Sequence, residues 1–354
     1  MSTNTIEKKS FGTLSDGEEV QCYTFKNSLG TVINLLDFGL TIQKLLLSDK
    51  KGVKRDVVLG FDTISGYESN HPFFGCLVGP SANRIKNGRV VIDGKEVQLV
   101  QNEGENQLHS GKGFQQRVWE CSLKEDRKGV PLLECVYVKK AGEEGFPGNL
   151  KTKVTFQLTD DNILDMHYKA TTDAATVVNL TRHDYFNLKD GGVSGVFDHK
   201  LQLNARQITE KDVEGIPTGI LKDIKGTSYD FSSLSKIKAN LDKKSPDLMP
   251  IAFDDNYVLD QNEEQLVLAA RLVSPDNERT ITFFTTQPGL QFYTGVHTKE
   301  QYGKNGIVYQ PYSGLCLEAQ HFPDAPNHPN FESTILQPDE VYKQQLQYRF
   351  GSKE

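Results

Sequence analysis

The sequence predicts an all-β fold. Period-two alternation of apolar and polar residues dominates the chain, an Asp-Gly turn separates two β-rich runs, and helical periodicity is sparse. Many strands with long polar connections fit a sandwich or a barrel better than alternating βαβ units. The 354 residues show no internal repeat, low-complexity tract or Pro/Ser-rich linker, so we expect one domain over residues 1–354.

The individual elements follow from local patterns. The β-rich runs are residues 57–60, 90–92, 97–99, 154–158, 164–170, 280–285 and 290–294. Residues 93–94, Asp-Gly, are typical of a two-residue hairpin turn. The polar residues 159–162 separate two alternating runs, which predicts a hairpin with one solvated face. The spacing of Leu234, Ile237 and Leu241 indicates one short amphipathic helix that ends before residue 243.

Composition excludes several classes of protein. Hydrophobic residues make up 37% of the chain, which is enough for a packed core and excludes a long disordered protein. Lys and Arg total 40 against 47 Asp and Glu, and the net charge of −7 argues against nucleic-acid binding. The chain has no apolar run of membrane-spanning length, and residues 1–10 lack a secretory signal pattern. We therefore expect a cytoplasmic protein that binds no membrane.

The five cysteines, at positions 22, 76, 121, 135 and 316, are odd in number and scattered, and no Cys-x-x-Cys pair occurs. We predict reduced thiols in the core. The motifs for acyl transfer, nucleotide binding and zinc hydrolysis are absent. No pair of histidines has the helix or strand spacing of metal ligands, so we predict no metal site.

Three segments are unusual for a structural core. Glu318 stands between Leu317 and Ala319 in an apolar run, where a carboxylate must be hydrogen-bonded, face a polar pocket or have a raised pKa. Residues 178–188, if a strand, put Asn179, Thr181, His183, Tyr185 and Asn187 on one face and Leu180, Arg182, Asp184 and Phe186 on the other. In residues 106–119, His109 precedes a Gly-rich turn. A carboxylate, two imidazoles and many amides favour acid–base chemistry on a polyhydroxylated small molecule.

At these residues the chain resembles the aldose 1-epimerase (galactose mutarotase) family. Seven segments match in family order: GPSANRI (79–85), NQLHSGKGFQQRVW (106–119), GEEGFPGNL (142–150), VNLTRHDYFNL (178–188), FDDNYVL (253–259), TTQPGLQFYTG (285–295) and GLCLEAQHFPDAPNHPNF (314–331). The resemblance implies a large antiparallel β-sandwich of the galactose mutarotase type with few short helices, a free hexose such as D-galactose or D-glucose as substrate, and no cofactor.

The resemblance also implies roles for individual residues. Glu318 would be the general base at the C1 hydroxyl of the sugar, and His183 the general acid at the ring oxygen. The residues that would hold the sugar are Asn83, Arg84, His109, Asp254 and Gln287. Near neutral pH, Glu318 must start ionised and His183 protonated, and we expect their mutual attraction to favour that state. We expect a monomer or a weak homodimer.

The chain departs from the common family pattern at four positions. Arg182 and Asp184 replace Asn and Ser, Asp255 replaces His, and Ser110 replaces Gly. On a strand, Arg182 and Asp184 would face away from His183, and we hypothesise that they neutralise each other outside the pocket. Asp255 would add negative charge beside Asp254, and we expect it to affect sugar preference.

Three rival functions share some of these features. A hexose 6-phosphate epimerase would need a cationic phosphate pocket, which Asp254 and Asp255 disfavour. A hydrolase could use a carboxylate pair, but the order of motifs argues against it. A non-catalytic sugar sensor would need neither His183 nor Glu318 at the anomeric centre.

Overall fold

The computed structural model describes residues 4–69, 72–243, 252–260 and 265–351. Within these ranges there are two short α-helices, α1 (Ile64–Glu68) and α2 (Ile237–Leu241). Single 3₁₀ turns lie at Lys86–Gly88, Phe114–Gln116, Glu143–Gly145, Lys304–Gly306 and Ala325–Asn327. Neither α-helix, nor any other helix in the described ranges, is long and apolar enough to cross a membrane.

Strands make up the rest of the regular structure. The first ten are β1 (Thr5–Thr13), β2 (Glu19–Lys26), β3 (Val32–Leu36), β4 (Ile42–Ser48), β5 (Lys54–Asp56), β6 (Leu77–Val78), β7 (Arg84–Ile85), β8 (Arg89–Ile92), β9 (Lys95–Gln98) and β10 (Gln107–Leu108). The next ten are β11 (Glu120–Glu125), β12 (Pro131–Lys139), β13 (Leu150–Leu158), β14 (Ile163–Thr172), β15 (Thr176–Val177), β16 (Thr181–Arg182), β17 (Lys200–Leu203), β18 (Ala205–Lys211), β19 (Pro217–Asp223) and β20 (Ser235–Lys236). The last nine are β21 (Asp254–Leu259), β22 (Val267–Val273), β23 (Thr280–Thr285), β24 (Gly289–Tyr293), β25 (Gln301–Tyr302), β26 (Val308–Tyr309), β27 (Cys316–Gln320), β28 (Ile335–Leu336) and β29 (Tyr342–Gly351).

Three sheets form the body of the molecule. The largest has nine strands in the order β11-β12-β13-β14-β29-β23-β22-β17-β20. A five-stranded sheet contains β1 to β5 in chain order, and another has the order β19-β18-β21-β24-β27. Neighbouring named strands pair antiparallel in all three sheets, for example β13 with β14 and β24 with β27. The prediction of an all-β, antiparallel sandwich with few short helices is confirmed.

The two predicted hairpins form where the pattern placed them. Strands β13 and β14 pair around residues 159–162, and inward residues such as Val154 and Tyr168 are buried while their neighbours are more exposed. The second hairpin joins β8 to β9 through Asp93 and Gly94, which have φ angles of 50° and 73°. Two consecutive positive φ angles match the right-handed twist of the flanking strands, and Gly adopts them without steric cost.

One hydrophobic cluster draws side chains from all three sheets, and its members run from Tyr23 to Phe350 along the chain. Each buried aromatic side chain of this kind contributes about 1.5–3 kcal/mol. In sheet β19-β18-β21-β24-β27, Phe292 faces this core and stacks on Phe253 with ring centroids 5.1 Å apart. Because side chains alternate along a strand, the neighbours of Phe292 face the opposite side, where the candidate site lies. All three sheets share this core, and the single domain over residues 1–354 stays a prediction.

Three local predictions need correction. Residues 57–60 form only an isolated bridge, between Val58 and Phe186, and the regular strand β5 ends before them. Residues 178–188 contain only the two-residue strand β16, because their backbone groups bond to several different segments in turn. The predicted helix is α2, but it begins at Ile237, and Leu234 precedes it.

The prediction that all five cysteines are free thiols was wrong for two of them. Cys121 and Cys135 are directly opposite each other on β11 and β12, with Cα atoms 4.1 Å apart, and form a disulfide. Cys22, Cys76 and Cys316 are free and buried, as predicted.

Candidate active site

The site begins with Glu318, in the middle of β27. Its side chain is only 2% exposed, and both neighbours, Leu317 and Ala319, belong to the hydrophobic core. Burial raises the pKa of the Glu318 carboxyl well above its ordinary value, the charge of Asp254 raises it further, and Arg84 acts in the opposite direction. Attraction to His183 was expected to favour an ionised Glu318. The net shift of the Glu318 pKa is nevertheless upward, because desolvation outweighs the opposing charge of Arg84.

His183 approaches Glu318 from the extended segment 178–188. Its backbone N–H donates to the carbonyl oxygen of Cys76 at 2.9 Å, which fixes the segment beside β6. The imidazole stacks on Tyr185 with centroids 5.1 Å apart. Nε2 lies 3.8 Å from Glu318 Oε2, and Nδ1 lies 3.5 Å from the sulfur of Cys316. The structure therefore places the predicted acid and base together in one buried site.

His109 forms the third member of this cluster. It has a φ angle of 50°, and its ring lies edge-on to that of His183 at 5.2 Å. The backbone N–H of Asn83 donates to His109 Nδ1 at 3.2 Å, so a neutral His109 carries its proton on Nε2. Burial lowers the pKa of His109 well below its ordinary value, and the charges of His183 and Arg84 act in the same direction. His109 is therefore suited to donate a hydrogen bond rather than to deliver a proton.

The three groups are close enough to be considered as metal ligands. One atom each from His109, His183 and Glu318 lies within 4.8 Å of the others. However, the hydrogen bond from Asn83 occupies Nδ1 of His109 and leaves the proton on Nε2. A metal ion at His109 would have to displace either that bond or that proton. The donor set therefore fits hydrogen bonding better than metal ligation.

Asn83 and Arg84 lie at the start of β7, beside His109. Asn83 has a φ angle of 59°, and its side-chain oxygen accepts from the backbone N–H of Arg84 at 2.8 Å. The guanidinium of Arg84 donates to both carboxylate oxygens of Glu103, at 2.6 and 2.8 Å. This bidentate pairing holds the Arg84 cation in a defined position. The neighbouring Gly215 leaves room for it, since a Cβ there would lie 3.1 Å from Arg84 Nη1.

The turn that carries His109 is anchored through Ser110, one of the departures from the family pattern. Its hydroxyl donates to the carbonyl oxygen of Ser81 at 2.9 Å and accepts from the backbone N–H of Ser81 at 2.7 Å. Ser110 has a φ angle of 60°, a conformation that Gly adopts more easily. The hydroxyl therefore ties the segments 79–85 and 106–119 together.

Asp254 starts β21 and is partly exposed. Its Oδ1 accepts a hydrogen bond from Gln291 Nε2 at 2.8 Å. Asp255 follows on the opposite face of the strand, where its Oδ1 lies 2.9 Å from Lys211 Nζ. Asp255 adds a carboxylate beside Asp254, as expected, and Lys211 pairs with it. An effect of Asp255 on sugar preference stays a prediction.

Arg182 and Asp184 lie on the other side of the segment from His183. Arg182 donates to both oxygens of Asp184, at 2.9 and 2.6 Å, and both side chains are 1% exposed. Tyr348 also donates to Asp184 at 2.8 Å, and Arg182 donates to the Leu40 carbonyl oxygen. The two charges therefore neutralise each other behind the site, as hypothesised.

A family model described as aldose 1-epimerase matches residues 21–349. The chain belongs to the aldose 1-epimerase family. It is similar to a galactose mutarotase from Mus musculus, with 37% identity over 98% of this chain and 99% of that one. It is also similar to an aldose 1-epimerase from Escherichia coli strain K12, with 35% identity over 95% of this chain and 96% of that one.

Solved structures of aldose 1-epimerase relatives have the same architecture. An aldose epimerase homologue from C. elegans is 28% identical and superposes with a TM-score of 0.84, covering 99% of this chain and 100% of that one. A galactose 1-epimerase from Lactobacillus acidophilus is 26% identical and has the same TM-score and coverage. These matches agree with the antiparallel sandwich described above.

Two glutamines, the predicted Gln287 and the unpredicted Gln291, differ in their contacts with the site. Gln287 precedes β24 and lines a cavity of about 860 Å³ together with His321 and Phe322. Gln291, four residues further on, is directly opposite Glu318 in the β24–β27 register and donates to Asp254. Gln291 therefore contacts the site residues in the way that we expected of Gln287. The sugar-binding role of Gln287 stays a prediction. Gln291 could have been found by the signal that identified Glu318, a polar residue in an apolar strand.

Proposed function

We propose that this member of the aldose 1-epimerase family interconverts the α and β anomers of free hexoses such as D-galactose and D-glucose. It is an isomerase that works by general acid–base ring opening and closure. The observation that carries the proposal is the buried pair His183 and Glu318, with Nε2 and Oε2 3.8 Å apart. Two groups at this separation can act on the two oxygens bonded to C1, the hydroxyl oxygen O1 and the ring oxygen O5.

The chemistry needs one proton removed and one delivered. Glu318 takes the proton from O1 while His183 gives a proton to O5, so the C1–O5 bond breaks and an open-chain aldehyde forms. Rotation about C1–C2 presents the other face of the aldehyde. Closure then reverses both transfers: O5 attacks C1, its proton returns to His183, and Glu318 protonates O1. The cycle ends with both residues in their starting states.

The environment of Glu318 suits it to this step. A general base is most effective when its pKa lies near the working pH, and burial raises the pKa of Glu318 in that direction. Each positioned proton transfer contributes roughly 10²–10⁴-fold to the rate. The raised pKa therefore supports Glu318 as the base of the pair.

The remaining residues would hold the sugar. Nε2–H of neutral His109 is a donor for a ring or hydroxyl oxygen beside His183. The fixed cation of Arg84 and the partly exposed carboxylate of Asp254 supply a donor and an acceptor for the other hydroxyls. Asn83 orients His109 and Arg84 through its backbone and side chain. Gln287, Gln291 or both complete the binding set.

Polarimetry of freshly dissolved α-D-glucose and α-D-galactose tests the proposal. The protein should accelerate the approach to the equilibrium rotation without changing its final value. Glu318→Gln should lose roughly 10²–10⁴-fold of that acceleration and still bind galactose in a calorimetric titration. The matched control is Glu134→Gln, a carboxylate on β12 that pairs with Lys124 and Lys153 and should retain full activity. Wild-type protein that binds sugar but leaves the rate at the buffer value would identify a sugar sensor instead.

Two further proposals concern the whole protein. We expect it to act in the cytoplasm, on a small-molecule sugar, without nucleic acid or membrane. We also expect a monomer or a weak homodimer. Both stay predictions.

A further inference from the structure

The face of the sheet that carries Glu318 also carries a group of amide side chains. In the register of β21, β24 and β27, Asn256 is opposite Gln291, and Gln291 is opposite Glu318. Gln320 lies two residues beyond Glu318 on the same face of β27, about 6.6 Å along the strand. Gln320 is thus the next side chain after Glu318 on this face of β27, whereas Asn256 lies two strands from Glu318, across β24.

These two amides are buried and without hydrogen-bond partners among the described residues. Asn256 is 3% exposed and Gln320 is fully buried, and neither the amide nitrogen nor the amide oxygen of either residue makes a hydrogen bond. Oε2 of Glu318 is in the same condition. Buried polar groups in folded proteins nearly always have partners, and leaving one unpaired is unfavourable. The amides therefore have hydrogen-bonding capacity available for a ligand, as the catalytic carboxylate does.

The position of Asn256 depends on the absence of a side chain at Gly289. A Cβ at residue 289 would lie 2.6 Å from Asn256 Oδ1 and 3.0 Å from the Gln320 carbonyl oxygen. Gly289 therefore leaves the space over β24 in which the Asn256 amide lies next to β27. Three residues on three strands thus place the unpaired Asn256 amide over Gly289, next to the strand that carries Glu318.

Interconversion of anomers requires two positions for the anomeric oxygen. In the α and β forms O1 points to different sides of the ring, and rotation about C1–C2 carries it from one position to the other. A carboxylate on one strand contacts O1 best in one of these orientations. The other orientation needs groups that can hold O1 both as a hydroxyl and as an aldehyde oxygen. An amide can do so because it offers N–H donors and a carbonyl acceptor without titrating.

We propose that Asn256 and Gln320 hold O1 in the second of its two orientations and so balance the two anomers on the enzyme. The proposal rests on the proposed function. Asn256 and Gln320 then position O1 after rotation about C1–C2, and they take no proton. Their loss should destabilise one bound anomer more than the other.

The test is the ratio of anomers bound to the enzyme. Galactose labelled with ¹³C at C1 is mixed with excess protein, and NMR measures the bound α to β ratio for wild type and for Gln320→Met, which keeps the side-chain length and removes the amide. We expect the ratio to shift by about threefold to tenfold, corresponding to one or two lost hydrogen bonds. The KM values of the two anomers, measured separately, should diverge by the same factor.

Gln344→Met is the matched control. Gln344 is also a buried amide, at 4% exposure, but its Nε2 donates to the Ala319 carbonyl oxygen and its Oε1 accepts from Tyr342. It should lower stability without moving the anomer ratio. Asn256→Ala provides a second variant if Gln320→Met does not fold.

The two proposals fail in different ways. Wild-type protein that does not accelerate mutarotation would overturn the proposed function. An active wild type with an unchanged anomer ratio in the folded amide variants would overturn only the role of Asn256 and Gln320. A shift of the same size in Gln344→Met would overturn it as well.

Discussion

Burial of Glu318 within an apolar strand destabilises the ionised carboxylate, and it also gives the carboxyl the raised pKa that suits a general base. A carboxylate within an apolar strand loses its hydration, and the pKa rises as a result. Glu318 could be identified as unusual from its apolar neighbours alone, because the penalty for burying a charge is local. His183 could not be identified that way, since the residues around it are polar, and its role came from the resemblance. Gln291 is likewise a polar residue within a buried strand, and it was not predicted.

The raised pKa of Glu318 predicts how activity depends on pH. Protonated Glu318 cannot accept the proton of O1, so kcat/KM should fall as pH decreases through the raised pKa, at a higher pH than for an ordinary Glu. Of the nearby charges, Asp254 raises this pKa most, ahead of Asp184. Asp254→Asn should therefore move the midpoint of the acidic limb to lower pH, in addition to weakening sugar binding. Polarimetric rates corrected for the buffer rate give the midpoint.

Asp255→Asn is the control for this shift. Asp255 is adjacent in sequence, but Lys211 pairs with it and its charge is not among those that perturb Glu318. Its midpoint should equal that of wild type. A midpoint that stays in place or rises in Asp254→Asn would contradict the electrostatic account of Glu318.

At the scale of elements, the sequence predicted which way the side chains of segment 178–188 face, but it did not predict the backbone pairing of that segment. Alternation correctly placed His183 and the Arg182–Asp184 pair on opposite sides. It wrongly predicted a regular strand, because the backbone partners of the segment come from distant parts of the chain. For example, His183 N–H donates to Cys76, whereas Phe186 bonds with Leu315. Such pairings depend on tertiary packing and leave no periodic signal.

The Arg182–Asp184 pair predicts a specific pattern of stability. Arg182→Asn alone leaves the buried Asp184 carboxylate without its cationic partner, with the hydrogen bond from Tyr348 remaining, which should lower the free energy of unfolding by about 3–5 kcal/mol. The double variant Arg182→Asn, Asp184→Ser removes both charges and should lose less. Denaturant unfolding of the singles and the double measures these values. Because the pair lies behind the site, the double variant should keep the KM for galactose close to that of wild type, and a strongly changed KM would count against this placement.

For the whole molecule, the site is assembled from segments that are far apart in the chain. His109 directly follows β10, His183 directly follows β16, and Glu318 lies in β27, and these three strands belong to different sheets. The fold nevertheless brings one ligand atom of each residue within 4.8 Å of the others. Alternation predicted the strands, and the family resemblance implied which distant residues would meet in the site. The Cys121–Cys135 disulfide escaped prediction because an odd cysteine count does not reveal which two strands become neighbours.

The central claim is that ring opening of the hemiacetal needs both proton transfers together, from O1 to Glu318 and from His183 to O5. The initial rotation rate of fresh α-D-galactose, measured for His183→Asn, Glu318→Gln and the double variant, tests it most directly. If ring opening needs both proton transfers, either single substitution removes most of the acceleration, and the double variant is no slower than the slower single. If the two losses multiply in the double variant, the residues act independently and the account is contradicted.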